Sequence, residues 1–195
     1  MTGQPGERWW SNTCRDHGLR TWGTGENKGA KEAVLSTENP YDKFLDGRPL
    51  NTILAETADK IAGYLAAMGP NQQKSPAPGK WSAAEIVSHL ADCEIVFAFR
   101  LRQTLAEDVP TIQPFDQDKW ARVYPGVPAS VALESFSGLR NWNLWLIRAA
   151  PPAASERKMT HPERGKMTFK TVVETMAGHD LNHLGQLQKI AETPA

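Results

Sequence analysis

The amino-acid sequence predicts an all-α protein, a four-helix bundle preceded by a poorly ordered N-terminal extension. Four stretches of roughly 20 residues carry apolar side chains every three or four positions, which is the period of an amphipathic helix. Segments rich in proline and glycine separate these stretches, and no stretch alternates as a strand does. Helices of this kind bury their apolar faces by packing against one another, so a bundle is expected.

The first forty residues differ from the remainder in composition. They are rich in glycine, threonine, asparagine and charge, and Trp9, Trp10 and Trp22 follow no period. Such a segment buries too little apolar surface to offset the entropy of ordering. We therefore expect residues 1–40 to form a flexible extension and residues 41–195 to form one bundle domain.

The first two helices have clear sequence boundaries. The first is predicted from Leu50 to Met68 and ends at the Gly69-Pro70 breaker. The second begins after Ser82, which is followed three residues later by Glu85 in the pattern of a capping box. Its apolar stripe contains residues three or four apart, namely Ile86, Leu90, Cys93, Phe97, Leu101 and Leu105.

The other two helices follow long connections. Residues 107–129 contain four prolines, and a connection of this length permits a crossover between parallel neighbours. The third helix is predicted from about Ser130 to Ala149. A second loop, which carries residues 161–165, leads to the last helix from about Thr168 to Ala191.

Charge and composition narrow the function classes. Lysine and arginine total 22, and aspartate and glutamate also total 22, so no net field favours nucleic acid or an anionic membrane. No apolar run approaches the roughly 20 residues that span a bilayer, and the N-terminus lacks the apolar core of a signal peptide. The two cysteines form no disulfide framework, so we expect a cytoplasmic protein that binds neither nucleic acid nor membrane.

Three histidines occupy inward positions on two helices. His89 lies beside the apolar stripe of the second helix, and His179 and His183 are four apart on one face of the last. A buried imidazole without a partner costs about 1–3 kcal/mol, and one divalent metal would satisfy all three. Hydrogen bonds from each ring to the backbone are the alternative. The protease motif His-Glu-x-x-His is rejected because Asp180 is a poor substitute for its glutamate.

Several blocks together resemble the DinB superfamily. They are Pro78 to Ser82 leading into His89 to Glu94, then Arg100, Asp116 to Trp120, His161-Pro162 with Gly165, and His179 to Gln186. The resemblance covers about residues 41–192. It implies an up-down-down-up bundle, often dimeric, with zinc or nickel held by His89, His179 and His183.

The three-histidine set leaves at least one coordination position open, as in catalytic rather than structural metal sites. A metal there could generate a thiolate or activate water. The resemblance favours a thiol-dependent S-transferase that joins a low-molecular-weight thiol (bacillithiol, mycothiol or glutathione) to a small electrophilic substrate. The alternatives are a non-enzymatic metal-binding or interaction module and a metal-dependent hydrolase.

Residues near the histidines could assist them. By helical spacing Asp92 and Gln186 are candidates to hydrogen-bond a ligand imidazole or a substrate, although a solvated or salt-bridged role is favoured for Asp92. Cys93 is interpreted as a small buried hydrophobic residue.

Five further side chains are assigned by their positions alone. Arg100 and Arg140 either pair with acids inside the bundle or face solvent. Trp142 and Trp145 are expected in the core or at a dimer contact. His161 is expected in a turn, with a role in a pocket as the alternative.

Overall fold

The computed structural model describes residues 39–193, which form four long helices and one hairpin. The helices are α1 (Leu50–Met68), α2 (Ala83–Ala106), α3 (Ala129–Ala149) and α4 (Phe169–Glu192). The predicted boundaries agree with these to within a residue. Nearly all of the predicted extension, with Trp9, Trp10, Trp22, Cys14 and His17, lies outside the described residues.

Two core clusters show how the helices run. One cluster joins the start of α2 to the start of α3, and the end of α1 to the end of α4. The other cluster joins the start of α1 to the start of α4, and contains Leu101 of α2 with Leu144 of α3. Helices α1 and α4 therefore run parallel to each other, and so do α2 and α3. This confirms the up-down-down-up bundle.

Local hydrogen bonds define where the helices begin. The Ser82 N–H donates to Glu85 Oε2 at 2.8 Å, and the Glu85 N–H donates to Ser82 Oγ at 3.3 Å, so the predicted capping box is confirmed. Thr168 caps α4 in the same manner through Thr171.

The loop predicted before α4 contains an antiparallel hairpin, β1 (Lys158–His161) and β2 (Gly165–Thr168). Met159 and Met167 face the core, but strands of four residues are too short to show a period in the sequence. The connection before α3 joins this hairpin, since the Ile112 N–H donates to Thr160 O at 2.9 Å. That connection also contains a helical turn, Gln117–Trp120.

A buried ionic network links all four helices through Arg140. Its guanidinium donates to both oxygens of Asp180 on α4, at 2.5 and 3.0 Å, and to Glu94 Oε1 on α2 at 2.8 Å. It also donates to the Leu54 carbonyl on α1 at 3.0 Å. Asn143 on α3 donates to Glu94 Oε2 at 3.0 Å. Arg140 therefore pairs with acids inside the bundle, one of the two alternatives left by the sequence.

Two exposed tryptophans lie on the outer face of α3. Trp142 and Trp145 stack with ring centroids 5.6 Å apart and are 57% and 62% exposed, so neither belongs to the core of this chain. The homodimer implied by the resemblance stays a prediction. Across residues 39–193 no helix combines the length and apolar character needed to cross a membrane.

We predict that Arg140→Leu lowers the free energy of unfolding by about 3–5 kcal/mol, because two buried carboxylates lose their cation. Urea denaturation monitored by circular dichroism measures this loss. Arg148→Leu, on an exposed position of the same helix, is the control and should change stability by less than about 0.5 kcal/mol. Equal losses in the two variants would refute the structural role of the network.

Candidate metal centre

The structure brings the three predicted histidines together inside the bundle. The Nε2 atom of His179 lies 3.1 Å from His89 Nε2 and 3.2 Å from His183 Nε2. One ligand atom from each ring lies within 4.8 Å of the other two. Antiparallel packing of α2 against α4 places His89 opposite the other two, which are stacked by their four-residue spacing. All three side chains are buried.

This arrangement fits a divalent cation. Zinc–imidazole bonds of about 2.0–2.1 Å at a near-tetrahedral angle place two ligand nitrogens about 3.3 Å apart. A neutral imidazole has one N–H and one nitrogen lone pair, so each of the three rings can direct a lone pair at a shared cation. The ligand role of His89, His179 and His183 stays a prediction, now with suitable geometry.

Gln186 orients one of the rings. Its Oε1 atom lies 3.0 Å from His183 Nδ1, so that nitrogen carries the proton and Nε2 carries the lone pair. This contact agrees with the sequence-based candidate role of Gln186. An amide or carboxylate behind a ligand imidazole typically fixes its tautomer and direction.

Burial keeps the cluster in its metal-binding protonation state. Desolvation lowers the pKa of His183 to about 3. Burial, and secondarily the neighbouring rings, also lower the pKa values of His89 and His179 well below the usual range. All three imidazoles are therefore neutral at pH 7, which is the form that binds metals.

Aromatic rings surround the cluster. The centroid of Tyr41 lies 5.1 Å from that of His179, with the two rings nearly perpendicular. Trp81 lies 5.3 Å from His89, and Phe97 lies 6.1 Å from His179. Tyr41 can approach because residue 178 is glycine. A Cβ atom at Gly178 would lie 2.5 Å from the Tyr41 carbonyl oxygen.

Cys93 lies closer to the site than the sequence analysis expected. It is buried as predicted, but its Sγ atom is 3.3 Å from His89 Nε2 and 3.9 Å from His179 Nε2. The sulfur is not among the mutually close ligand atoms, so it borders the cluster. Its four-residue spacing from His89 is the sequence signal that could have indicated this contact.

Other candidate residues have different partners. Asp92 accepts a hydrogen bond of 2.7 Å from the Tyr124 hydroxyl. Burial raises its pKa. Arg100 donates to the Gln113 carbonyl at 2.9 Å, and no acid among residues 39–193 pairs with it, unlike one of the two alternatives. His161 lies at the end of β1, beside the predicted turn, and is buried.

The fold and the cluster together define a helical-bundle protein with a buried three-histidine candidate metal site. The chain belongs to the DinB superfamily, whose family model matches residues 53–187. This confirms the resemblance drawn from the sequence blocks.

Curated relatives and one solved structure extend this result. The chain is 28% identical to an Oceanobacillus iheyensis protein named "Putative metal-dependent hydrolase", over 81% of this chain and 98% of that protein. A Bacillus mycoides protein of the same name is 26% identical, over 80% of this chain and 88% of that protein. YfiT from Bacillus subtilis, described as "a probable metal-dependent hydrolase with an unusual four-helix bundle topology", superimposes with a TM-score of 0.65. It shares 22% identity, with 86% of this chain and 94% of YfiT covered.

We predict that His183→Ala reduces bound zinc from about one equivalent to below a tenth, because two imidazoles rarely hold zinc alone. Equilibrium dialysis followed by elemental analysis measures the stoichiometry. Cys93→Ala is the matched control, since its sulfur borders the ligand set, and it should retain the metal. Loss of metal in Cys93→Ala with retention in His183→Ala would contradict the ligand assignment.

The metal-free protein should lose stability as the pH falls. Each buried imidazole has a lower pKa folded than the roughly 6.5 expected unfolded, so below pH 6.5 the unfolded state binds more protons. Each histidine then contributes a loss of up to about 1.4 kcal/mol per pH unit.

Urea unfolding of the chelator-treated protein at pH 7.5 and pH 5.0 measures this dependence. In His89→Leu the free energy of unfolding should differ less between the two pH values than in the wild type, because one titrating group is absent. The exposed-site variant Arg148→Leu should keep the wild-type difference. An unchanged difference in His89→Leu would show that this histidine does not contribute.

Proposed function

We propose that this protein is a metal-dependent hydrolase whose divalent metal is held by His89, His179 and His183. The convergence of three neutral, buried imidazole nitrogens within 4.8 Å is the observation that carries the proposal. The names of the relatives from Oceanobacillus iheyensis and Bacillus mycoides support the same reaction class. An all-imidazole site favours zinc or nickel over manganese or iron, so either ion is proposed here.

When bound, such a metal supplies Lewis acidity, which polarises a carbonyl or phosphoryl group and makes water nucleophilic near neutral pH. The chain contributes orientation and a dry environment. Gln186 keeps the His183 proton on Nδ1 and directs Nε2 inward. Phe97 and Tyr41 cover His179, and Trp81 covers His89, which limits bulk water around the ligands.

Thiol-dependent S-transfer is the narrower reaction that the sequence resemblance favoured. The curated relatives described above are each named "Putative metal-dependent hydrolase", which supports metal-dependent hydrolysis better than S-transfer. A thiol and water would compete for the same open position, so the two reactions are separated by whether turnover requires a thiol. If neither reaction occurs, the alternative is a non-enzymatic metal-binding or interaction module.

We predict that the zinc- or nickel-loaded protein hydrolyses members of a panel of activated esters, amides and phosphoesters without added thiol. His183→Ala should reduce kcat/KM at least a hundredfold, since it removes a ligand. Arg148→Gln, on the exposed face of α3, is the control and should behave as wild type.

Parallel reactions with bacillithiol, mycothiol or glutathione and an electrophile distinguish the alternatives. Turnover only in the presence of a thiol would show that the reaction is S-transfer and not hydrolysis. No turnover in either panel, with stoichiometric metal bound, would favour the non-enzymatic module.

A further inference from the structure

Arg100 is a buried cation without a buried anion. Its side chain is on α2 and is only 8% exposed, yet no carboxylate within residues 39–193 lies within 4.0 Å of its nitrogens. One terminal nitrogen donates to the Gln113 carbonyl at 2.9 Å, while the buried Nε–H has no hydrogen-bond partner. Burying a guanidinium in this way is costly unless a ligand completes it. By contrast, the guanidinium of Arg140, in the same bundle, donates to two carboxylates.

The hairpin turn brings a second arginine, Arg164, to the corner of the bundle that contains Arg100. The connection that carries Gln113 lies beside β1, because the Ile112 N–H donates to Thr160 O and the Thr160 N–H donates to Pro110 O, each at 2.9 Å. Arg164 follows in the turn, where its N–H donates to the His161 carbonyl at 3.2 Å.

The two arginines are near enough to influence each other. Burial, and then the charge of Arg164, lower the pKa of Arg100 to about 10. The Arg100 guanidinium therefore remains protonated at pH 7. Cys93 and then Glu163 oppose this shift, but Glu163 forms no ion pair with either arginine in the described part of the chain.

His161 adds a neutral donor to this corner. Its Nδ1 atom accepts a hydrogen bond of 3.1 Å from the Glu163 N–H, so in the neutral ring the proton resides on Nε2. Burial, followed by the charges of Arg164 and Arg100, lowers its pKa to about 4, and the ring is neutral at pH 7. The corner therefore holds two cations and one N–H donor, which matches the needs of an anion.

This corner adjoins the histidine cluster. Arg100 is seven residues beyond Cys93 on α2, which places the two Cα atoms roughly 10 Å apart along the helix axis. Phe97, which contacts His179, lies between them on the same helix.

We propose that Arg100, Arg164 and His161 form an anion-binding subsite that holds a carboxylate or phosphate group of the substrate. The bond to be cleaved then lies at the histidine cluster, whose border at Cys93 is roughly 10 Å from Arg100 along α2. The substrate class is thus a small molecule with an anionic group several atoms from the reacting one. The role as a substrate subsite rests on the proposed hydrolase function, whereas anion binding does not.

Titration of the full-length, metal-free protein with sodium phosphate and, separately, sodium acetate tests anion binding directly. Two-dimensional NMR of the arginine Nε–H signals reports on Arg100 and Arg164, with ionic strength held constant by sodium chloride. Saturable shifts of these signals are expected with at least one anion, and the preferred anion distinguishes phosphate from carboxylate. Absence of saturable shifts with both anions would overturn the proposal.

Two variants and a control assign the binding to this corner. Arg100→Gln and Arg164→Gln should each weaken the anion at least tenfold, the effect of losing a charge-assisted hydrogen bond. Arg148→Gln should bind as wild type. If the buried Arg100→Gln fails to fold, Arg164→Gln, which changes a half-buried turn residue, decides the outcome. Wild-type affinity in a folded Arg164→Gln would overturn the assigned subsite.

A second measurement separates this proposal from the hydrolase proposal. For the metal-loaded protein, kcat/KM is compared between an ester that carries a free carboxylate and its neutral methyl-ester analogue. The anionic substrate should be preferred at least tenfold, and Arg164→Gln should remove most of that preference. Hydrolysis without preference refutes the subsite alone, whereas anion binding without any hydrolysis refutes the hydrolase alone.

Discussion

The bundle depends on a single buried guanidinium. Arg140 donates to groups on the other three helices, and no other described side chain contacts all of them through hydrogen bonds. Asp180, one of its partners, directly follows His179 in the sequence. The network therefore fixes both the rotation of α4 and its height relative to α2. Apolar packing alone tolerates small rotations, but a two-oxygen contact with a planar guanidinium does not.

The histidine cluster follows from that fixed packing. Once α4 is held against α2, the four-residue spacing of His179 and His183 directs both rings toward His89. Burial then makes protonation unfavourable, so the rings present lone pairs toward a common point. Glu94 and Asp180 are paired with Arg140, so the preference of the cluster for a cation comes from its ligand nitrogens.

The sequence predicted the parts of the fold that depend on local periodicity. The bounds of α1 and α2, the Ser82 capping box and the inward positions of the three histidines all follow from spacing within one helix. The hairpin was missed because strands of four residues show no clear alternation. Arg100 and Arg140 could not be distinguished, because the presence of a carboxylate depends on which neighbouring helix faces each one. The contact of Cys93 with His89 has the same spacing as ordinary core packing, so its chemical setting was hidden.

The contact between Tyr41 and Gly178 has a consequence for the boundaries of the folded unit. The ring that covers His179 belongs to a residue that precedes α1 and lies outside the matched range 53–187. A chain trimmed to that range would keep most of each helix and all three histidines, but one wall of the cluster would be open to solvent. The lack of a side chain at position 178 would then leave a groove on α4. The smallest piece that preserves the surroundings of the cluster therefore begins before Tyr41.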